Sequence, residues 1–355
     1  MLEFNETFPM SLGINIISPN KQYNLPKGEW DLNSWKIFDT NLKKRALSKK
    51  SDLEIWHILT NGARSVMRKY TTSFYLVSRF LPSDKRRKVE AIYAAVRYPD
   101  EIVDTFNISS EEKIQLLNEW TDWYYKTLSS ESLRESLQNG APSFISSFSY
   151  LVRKTGIPTE YYLSFLDAMK QDMKNTYYNS INDLIETYVY GSAIVVGYFL
   201  TYIYGASKKE EFQRALLASR DLGIALQLTN FMRDINDDNK RDRLYIPLDS
   251  LKRYGLKLSD LKNKESIFKL KQVINEILDI AENYYANASL NLDAFADDCQ
   301  EAIDACIRVY RELNNTIRRS NDSLTKRLSV PFIQKFSVLP ASKYWRIPSA
   351  FLFGT

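Results

Sequence analysis

Gln227-Leu-Thr-Asn-Phe-Met-Arg-Asp-Ile-Asn-Asp-Asp238 is the stretch of sequence that decides the fold. In an α-helix, Gln227, Asn230, Asp234 and Asp238 would share one stripe, because they are three or four residues apart. The remaining positions are largely apolar, which is typical of a buried helix. Buried carboxylates do not stay ionised alone, so the stripe predicts a cavity that supplies cations. The alternative is an ordinary solvated acidic face.

A second segment repeats the pattern: Glu90-Ala-Ile-Tyr-Ala-Ala-Val-Arg-Tyr-Pro-Asp-Glu-Ile-Val-Asp104. Tyr93, Arg97, Asp100 and Asp104 again share one helical stripe with apolar flanks. Two facing helices with paired aspartates predict a magnesium site, because Mg²⁺ binds a few carboxylates and leaves room for substrate phosphate. A di-iron bundle is the weaker alternative, since its Glu-x-x-His motifs need histidines that this sequence lacks.

Composition favours an all-α protein. The chain has 355 residues and is 44% hydrophobic, and Pro247 is the only proline between residues 159 and 330. The two cysteines, Cys299 and Cys306, exclude a disulfide framework and favour a reducing compartment. The single histidine, His57, excludes histidine metal clusters. A net charge of +5 suits an anionic substrate or an acidic membrane, and it is too mild to predict a nucleic-acid partner.

Three regions are predicted along the chain. Residues 1–50 contain several prolines and are expected to form an irregular N-terminal arm, residues 51–336 a single all-α domain, and residues 337–355 a loop-like C-terminal tail that packs on the body. No secretory signal is visible, and the longest apolar run, residues 193–204, is too short for a membrane span. The sequence thus predicts a cytoplasmic enzyme with at most peripheral membrane association, and it sets no oligomeric state.

Both aspartate segments resemble those of the phytoene/squalene synthase family, the head-to-head trans-prenyl diphosphate synthases. The resemblance covers about residues 60–335 and is closest on the phytoene synthase side. Four further matches support it: Tyr70-Thr-Thr-Ser-Phe-Tyr75, Tyr188-Val-Tyr190, Arg243-Leu-Tyr-Ile-Pro247 and Tyr310. It implies an isoprenoid-synthase-type helical bundle around a central cavity.

The resemblance also implies roles for individual residues. Two or three Mg²⁺ ions, or Mn²⁺ instead, would be held by Asp100, Asp104, Asn230, Asp234 and Asp238. The four aspartates would act in catalysis with Arg97 and Tyr190, and Tyr188 is expected on a neighbouring face. Substrate would be bound by Tyr70, Thr72, Ser73, Phe74, Tyr93, Arg97, Gln227, Arg233, Arg243, Tyr245 and Tyr310.

The implied reaction joins two geranylgeranyl diphosphates into phytoene through a cyclopropyl diphosphate. One alternative is a squalene or dehydrosqualene synthase that uses two farnesyl diphosphates, with NADPH needed only for squalene. Another is a terpene synthase that uses a single substrate. Two departures from the family pattern motivate the latter: Pro99 is expected to kink or restart its helix, and Ile194, where glycine is usual, is expected to fill the prenyl pocket. Chain length is expected to depend on Phe74, Tyr75, Ile194 and Tyr198.

Overall fold

The computed structural model describes residues 30–174, 177–262, 264–320 and 326–352. Within these ranges the secondary structure is helical and contains no strand, apart from one isolated bridge between Ala206 and Phe295. The prediction of an all-α fold is confirmed. The helices of the first half are α1 (Leu32–Leu47), α2 (Asp52–Tyr70), α3 (Thr72–Val77), α4 (Ser83–Asp104), α5 (Ser110–Leu128), α6 (Leu133–Gln138), α7 (Ser143–Thr155) and α8 (Thr159–Gln171).

The second half begins with the central helix and ends with two short helices. These elements are α9 (Ile181–Tyr204), α10 (Phe212–Lys240), α11 (Leu248–Arg253), α12 (Ile267–Leu290), α13 (Asp297–Arg319), α14 (Phe332–Val338) and α15 (Lys343–Leu352). Short 3₁₀ turns lie at Ser78–Phe80, Lys209–Glu211, Leu258–Lys262, Lys264–Ser266 and Leu292–Ala294. Ser109 and Glu112 form a capping box at the start of α5.

Helix α1 corrects the prediction of an irregular arm over residues 1–50. The Asp31 side chain caps it by accepting a hydrogen bond from the Ser34 amide at 2.8 Å. Its apolar positions recur at helical spacing and are buried, and Trp35 stacks on Tyr70 with ring centroids 5.9 Å apart. This contact, rather than the local sequence alone, holds the helix on the body. The part of the predicted arm in residues 1–29 lies outside the described residues.

Helix α4 runs through Pro99 without interruption, so of the two effects expected of this proline, a kink or a restart, the restart does not occur. Proline cannot donate to the carbonyl four residues earlier, which is that of Ala95. In this structure the Tyr162 hydroxyl donates to that carbonyl at 2.7 Å, and it accepts a hydrogen bond from Trp120 Nε1 at 2.8 Å. A buried side chain thus replaces the lost backbone donor, so the helix continues to Asp104.

The central helix α9 is π-helical over Ile185–Ile194, where the Val195 amide donates to the carbonyl of Tyr190, five residues earlier. Two glycines bring it close to its neighbours. A Cβ at Gly191 would lie 2.5 Å from the Ser164 carbonyl oxygen, and one at Gly197 would lie 2.8 Å from that of Ser219. Close packing of α9 on α8 and α10 therefore requires glycine, which has no side chain, at these two positions.

Among the described residues, α9 is the one helix that is long and apolar enough to cross a membrane by length and composition. Half of its most apolar window is buried inside the protein. It packs between α8 and α10 and forms one wall of the internal cavity. The apolar run of residues 193–204, which was expected to be too short for a membrane span, is only the second half of this 24-residue helix.

The C-terminal tail, predicted to be loop-like, contains helix α15, and Pro348 lies within it. The tail packs on the body, as expected: the Arg346 guanidinium lies 2.9 Å from the Glu301 carboxylate of α13. Helix α15 packs against the turn Ser78–Phe80. The end of the helical region predicted at residue 336 is thus too early.

Candidate active site

A cavity of about 310 Å³ lies inside the helical bundle. Its walls come from α2, α3, α4, α8, α9, α10 and α13. The polar end is lined by Tyr93, Arg97, Asp100, Gln227 and Asn230. The opposite end is apolar and is lined by Leu81, Val89, Leu200, Tyr204, Phe295, Ala302, Ile303 and Cys306. The cavity therefore suits a ligand with a charged head and a long apolar body.

The two acidic stripes meet at the polar end. Asp100 and Asp104 come from the last turn of α4, and Asp234 and Asp238 from the last turns of α10. The segment that follows α10 connects them, because Arg243 Nη1 lies 2.5 Å from Asp104 Oδ1. The structure thus brings together the two stripes that the sequence predicted to face each other.

Arginines neutralise most of these carboxylates. Arg97 Nη1 lies 2.7 Å from Asp100 Oδ2, and Arg233 Nε donates to Asp234 Oδ1 at 2.7 Å. Arg327, which precedes α14, also reaches Asp234, with its Nε 3.0 Å from Oδ1. No motif in the sequence indicated Arg327, because it belongs to a separate segment that only tertiary structure brings to the site. Together with Arg243 beside Asp104, these arginines supply cations to the partly buried carboxylates of Asp100, Asp104 and Asp234.

Asp238 and Asn230 differ from their neighbours. The Asp238 side chain accepts no hydrogen bond from the described residues, and it is only 9% exposed. Burial, followed by the nearby Asp234 and Asp104 carboxylates, raises the pKa of Asp238 to about 8. The Asn230 Oδ1 atom is buried and has no hydrogen-bond partner in the described part of the chain. One acidic and one neutral oxygen donor are thus available on the same face of α10.

These residues fit Mg²⁺. The unpartnered amide oxygen of Asn230 and the buried carboxyl of Asp238 are oxygen ligands of the kind that this ion prefers. Among the described residues, no three acidic, histidine or cysteine side chains form a preassembled metal cluster. Because Mg²⁺ keeps several water ligands and binds substrate phosphate, one or two protein ligands per ion suffice.

Asp172 is a site residue that sequence reasoning missed. It follows the end of α8, and it accepts hydrogen bonds from the hydroxyls of Tyr188 at 2.5 Å and Tyr245 at 2.6 Å. Its carbonyl oxygen accepts a hydrogen bond from Arg243 Nε at 3.1 Å. Burial raises the pKa of Asp172 to about 6, against the opposing effect of the Arg243 charge. A lone acidic residue after a helix carries no periodic signal, so no sequence pattern selects it.

The two tyrosines of the central helix, Tyr188 and Tyr190, take each other's predicted positions relative to the cavity. Tyr188 lines the cavity and is buried, whereas the partly exposed Tyr190 is not among the described residues that line it. Placing Tyr190 in the cavity and Tyr188 on a neighbouring face was therefore wrong. The π-helical turn is the cause, because five residues per hydrogen-bonded step rotate the faces away from those of an α-helix.

Ile194 does not fill the cavity as expected. It is buried against α10, where its Cα lies 3.2 Å from the position that a Cβ at Gly223 would take. The cavity wall is formed instead by Ser192, Ala193, Val196 and Gly197, among other residues. Tyr75 and Tyr198 are likewise absent from the described lining, so of the four residues expected to set chain length only Phe74 contacts the cavity.

The other predicted substrate residues surround the polar end at different depths. Phe74 lines the cavity, and the ring of Tyr310 lies behind it with centroids 5.5 Å apart. The Arg97 guanidinium lies over the Tyr70 ring at 4.3 Å. Thr72 is exposed, and its hydroxyl accepts a hydrogen bond from Lys335 Nζ at 2.7 Å. Thr72, Ser73, Tyr70, Arg233, Arg243, Tyr245 and Tyr310 are not among the described residues that line the cavity.

We call the polar end of the cavity, with the four aspartates of α4 and α10, the mouth. Helices that surround an apolar cavity with such an acidic mouth define an enzyme of the isoprenoid-synthase class. The family described as squalene/phytoene synthase matches residues 67–334. The chain belongs to the squalene/phytoene synthase family and is a prenyltransferase. The reaction class that the comparisons support is head-to-head condensation of prenyl diphosphates.

Individual relatives agree with this assignment. The chain is 26% identical over 339 residues to the chloroplastic phytoene synthase of Narcissus pseudonarcissus, covering 89% of this chain and 77% of that protein. It is 28% identical over 271 residues to the phytoene synthase of Pseudescherichia vulneris, covering 76% and 85%. Among solved structures, a dehydrosqualene synthase in complex with a ligand superposes with a TM-score of 0.71 at 22% identity, covering 84% of this chain and 100% of that one. The squalene synthase of Alicyclobacillus acidocaldarius gives 0.65 at 20% identity, covering 78% and 98%.

Proposed function

We propose that this enzyme condenses two geranylgeranyl diphosphates head to head into phytoene, through a cyclopropyl diphosphate and with Mg²⁺. One observation carries the proposal: an apolar cavity ends at a mouth where two aspartate-bearing helices and several arginines meet. A prenyl diphosphate has the matching polarity, with an anionic head and a long hydrocarbon chain. The phytoene synthases among the relatives support the C20 substrate.

The mouth binds the diphosphate. Bound at Asp100, Asp104, Asn230, Asp234 and Asp238, Mg²⁺ would stabilise the negative charge that develops on the departing diphosphate. In this structure Arg97, Arg233 and Arg243 pair with these carboxylates. With the carboxylates neutralised by a bound metal ion, these guanidinium groups would be available to pair with phosphate oxygens, for which their planar geometry is suited.

The body of the cavity protects the carbocation. Water would capture such a cation, so an apolar enclosure is required. Phe74 and Tyr188 contribute aromatic rings to the wall near the mouth, where a cation is stabilised by the ring faces. Gln227 lines the polar end of the cavity, with its Nε2 3.4 Å from Ser192 Oγ. We expect Gln227 to contact the reacting carbons rather than the diphosphate.

Asp172 orients the groups that border the mouth. Its carboxylate fixes the hydroxyls of Tyr188 and Tyr245, and the same residue holds Arg243 through its carbonyl oxygen. Arg243 in turn contacts Asp104. Asp172 is therefore a positioning residue, which keeps an arginine and two tyrosines in place while the metal and substrate bind.

The two sequence features that suggested a terpene synthase with a single substrate are Pro99 and Ile194. Helix α4 continues through Pro99, and Ile194 is buried and is not among the described residues that line the cavity. The choice between C20 and C15 substrates depends on the length of the hydrocarbon chain that the apolar end of the cavity accommodates. NADPH would be required only if the product were squalene.

Product analysis tests the proposal. The purified enzyme is incubated with Mg²⁺ and either geranylgeranyl or farnesyl diphosphate, without NADPH, and the products are identified by mass spectrometry. We expect a C40 hydrocarbon from the C20 substrate, and no product in the presence of EDTA. Asp234→Asn, which removes one carboxylate of the mouth, should abolish product formation while the protein stays folded. A product with the carbon number of its substrate would refute head-to-head condensation, and a preference for the C15 substrate would refute the phytoene assignment.

A further inference from the structure

Glu101 lies between the two aspartates of α4 and is directed away from the cavity. Its side chain is 1% exposed, whereas that of the preceding Asp100 is 36% exposed. Asp100 lines the cavity, and Glu101 is not among the described residues that line it. The Glu101 carbonyl oxygen accepts hydrogen bonds from the amides of Thr105 at 2.9 Å and Phe106 at 3.0 Å, which fixes its backbone at the end of the helix. A carboxylate buried in this way needs a cationic partner.

The cationic partner of Glu101 is Arg97. Arg97 Nη2 donates to Glu101 Oε1, while Arg97 Nη1 lies 2.7 Å from Asp100 Oδ2. The three residues occupy positions i, i+3 and i+4 of one helix, which is the spacing at which side chains on a helix meet. One guanidinium group thus bridges a carboxylate that lines the mouth and a carboxylate that is buried behind it.

An aromatic ring covers one face of the same guanidinium group. The central carbon of the Arg97 guanidinium lies 4.3 Å from the centroid of the Tyr70 ring, which is within the range of a cation–π contact. Tyr70 in turn stacks on Trp35 of α1, with ring centroids 5.9 Å apart. Arg97 therefore rests against Glu101 and Tyr70, two side chains outside the described lining of the cavity.

Substrate binding affects the two carboxylates differently. In the proposed function Asp100 binds Mg²⁺, so its negative charge is shared with the metal and no longer holds Arg97. Glu101 does not line the cavity and keeps its contact with Arg97. A long side chain loses rotamer freedom when it is ordered, so a contact that persists is needed to keep it in place. Glu101 fixes Nη2, and Nη1 on the other edge of the group is directed toward the mouth.

We propose that Glu101 is a positioning residue that holds Arg97 at the mouth while Asp100 binds the metal, so that Arg97 Nη1 can pair with the diphosphate. This inference rests on the proposed function, because it requires that Arg97 binds a diphosphate. Glu101 touches neither the substrate nor the metal, and its effect passes through Arg97.

Calorimetric titration of the full chain with inorganic diphosphate and Mg²⁺ tests this role. Glu101→Gln keeps the size of the side chain and removes its charge, and we expect it to weaken diphosphate binding about tenfold. The matched control is Glu90→Gln, which removes the charge of another buried glutamate of α4. Glu90 pairs with Arg79 at 2.6 Å and Arg64 at 2.9 Å, about three helical turns before Glu101. The control should lose stability and bind diphosphate like wild type.

A double-mutant cycle separates positioning from a purely structural role. Arg97→Gln should weaken diphosphate binding at least about tenfold, and adding Glu101→Gln to it should have little further effect, because the two residues act as a unit. Glu101→Asp keeps the charge and withdraws the carboxylate from Arg97 by one methylene group, so it should weaken binding by a smaller factor of about three. It replaces Glu101→Gln in the same cycle if the latter does not fold.

Wild-type affinity in Glu101→Gln, or in Glu101→Asp where that variant replaces it, would overturn the proposal. An equal loss in Glu90→Gln would do the same. So would a loss in the double variant equal to the product of the two single losses, because Glu101 would then act independently of Arg97. Wild-type protein that binds no diphosphate would refute the proposed function of the mouth, and the role of Glu101 with it.

Discussion

Asp238 offers a test of the electrostatics at the mouth through the variant Asp238→Asn. Its carboxyl is buried beside Asp234 and Asp104, and its pKa rises from 3.8 to about 8 in the folded protein. The folded state therefore binds this proton more tightly than the unfolded state. The protonated Asp238 carboxyl therefore stabilises the folded protein below about pH 4, and this stabilisation is lost as the pH rises toward 8. Asparagine has nearly the same shape and never ionises, so the variant should not lose this stability as the pH rises.

The magnitude follows from the size of the shift. Each pKa unit corresponds to about 1.4 kcal/mol, and the shift of Asp238 covers roughly four units, which sets a ceiling of about 6 kcal/mol. We therefore expect Asp238→Asn to raise the free energy of unfolding of the metal-free protein by roughly 3 to 6 kcal/mol at pH 8, and by little at pH 4. The gain in stability should come with loss of activity, because the variant removes a metal ligand of the proposed site.

Denaturant unfolding in EDTA at pH 4, 6 and 8 measures this difference. The control is Asp237→Asn, which removes the neighbouring acid, whose partner is the exposed Lys240 at 2.9 Å. It should produce no gain that grows with pH. Adding Mg²⁺ should stabilise the wild type more at pH 8 than at pH 6, since binding must displace the Asp238 proton. A gain for Asp238→Asn that is the same at pH 4 and pH 8 would show that the carboxyl ionises freely in the fold.

Three further predictions concern the cavity wall and its support. Asp172→Asn removes the charge that holds two tyrosines, and in steady-state assays kcat should fall about 10- to 100-fold with little change in KM. Ala193→Leu narrows the cavity and should shift mass-spectrometric product yields from C40 toward C30, whereas Ile194→Ala should leave product length unchanged and lower stability by about 2 to 5 kcal/mol. Gly191→Ala places a methyl group against the Ser164 carbonyl, and denaturant unfolding should show a loss of about 1 to 3 kcal/mol.

Each of these three has its own refuting result. An unchanged kcat in Asp172→Asn would mean that the hydrogen bonds of this residue serve stability alone. If Ile194→Ala alters product length and Ala193→Leu does not, the assignment of the cavity wall is wrong. Wild-type stability of Gly191→Ala would show that α8 and α9 can separate at no cost.

Local sequence patterns determined the acidic mouth. The helical repeat places residues three and four positions apart on one face, so the spacing of Asp234 and Asp238 is enough to assign them to a shared stripe. The same reasoning located Asp100 and Asp104, and the apolar flanks of both segments predicted buried helices around a cavity. The all-α class followed from the scarcity of helix-breaking residues.

Only the tertiary structure decided which residues the cavity contacts beyond that mouth. The π-helical turn of α9 exchanged the positions of Tyr188 and Tyr190 and turned Ile194 away, because its wider hydrogen-bonding step breaks the periodicity on which sequence reasoning depends. Helix α4 passes Pro99 because a tyrosine 67 residues from Ala95 supplies the missing donor to the Ala95 carbonyl. Asp172 and Arg327 reach the site from segments without a motif. Contacts between distant parts of the chain are set by packing, and no local pattern encodes them.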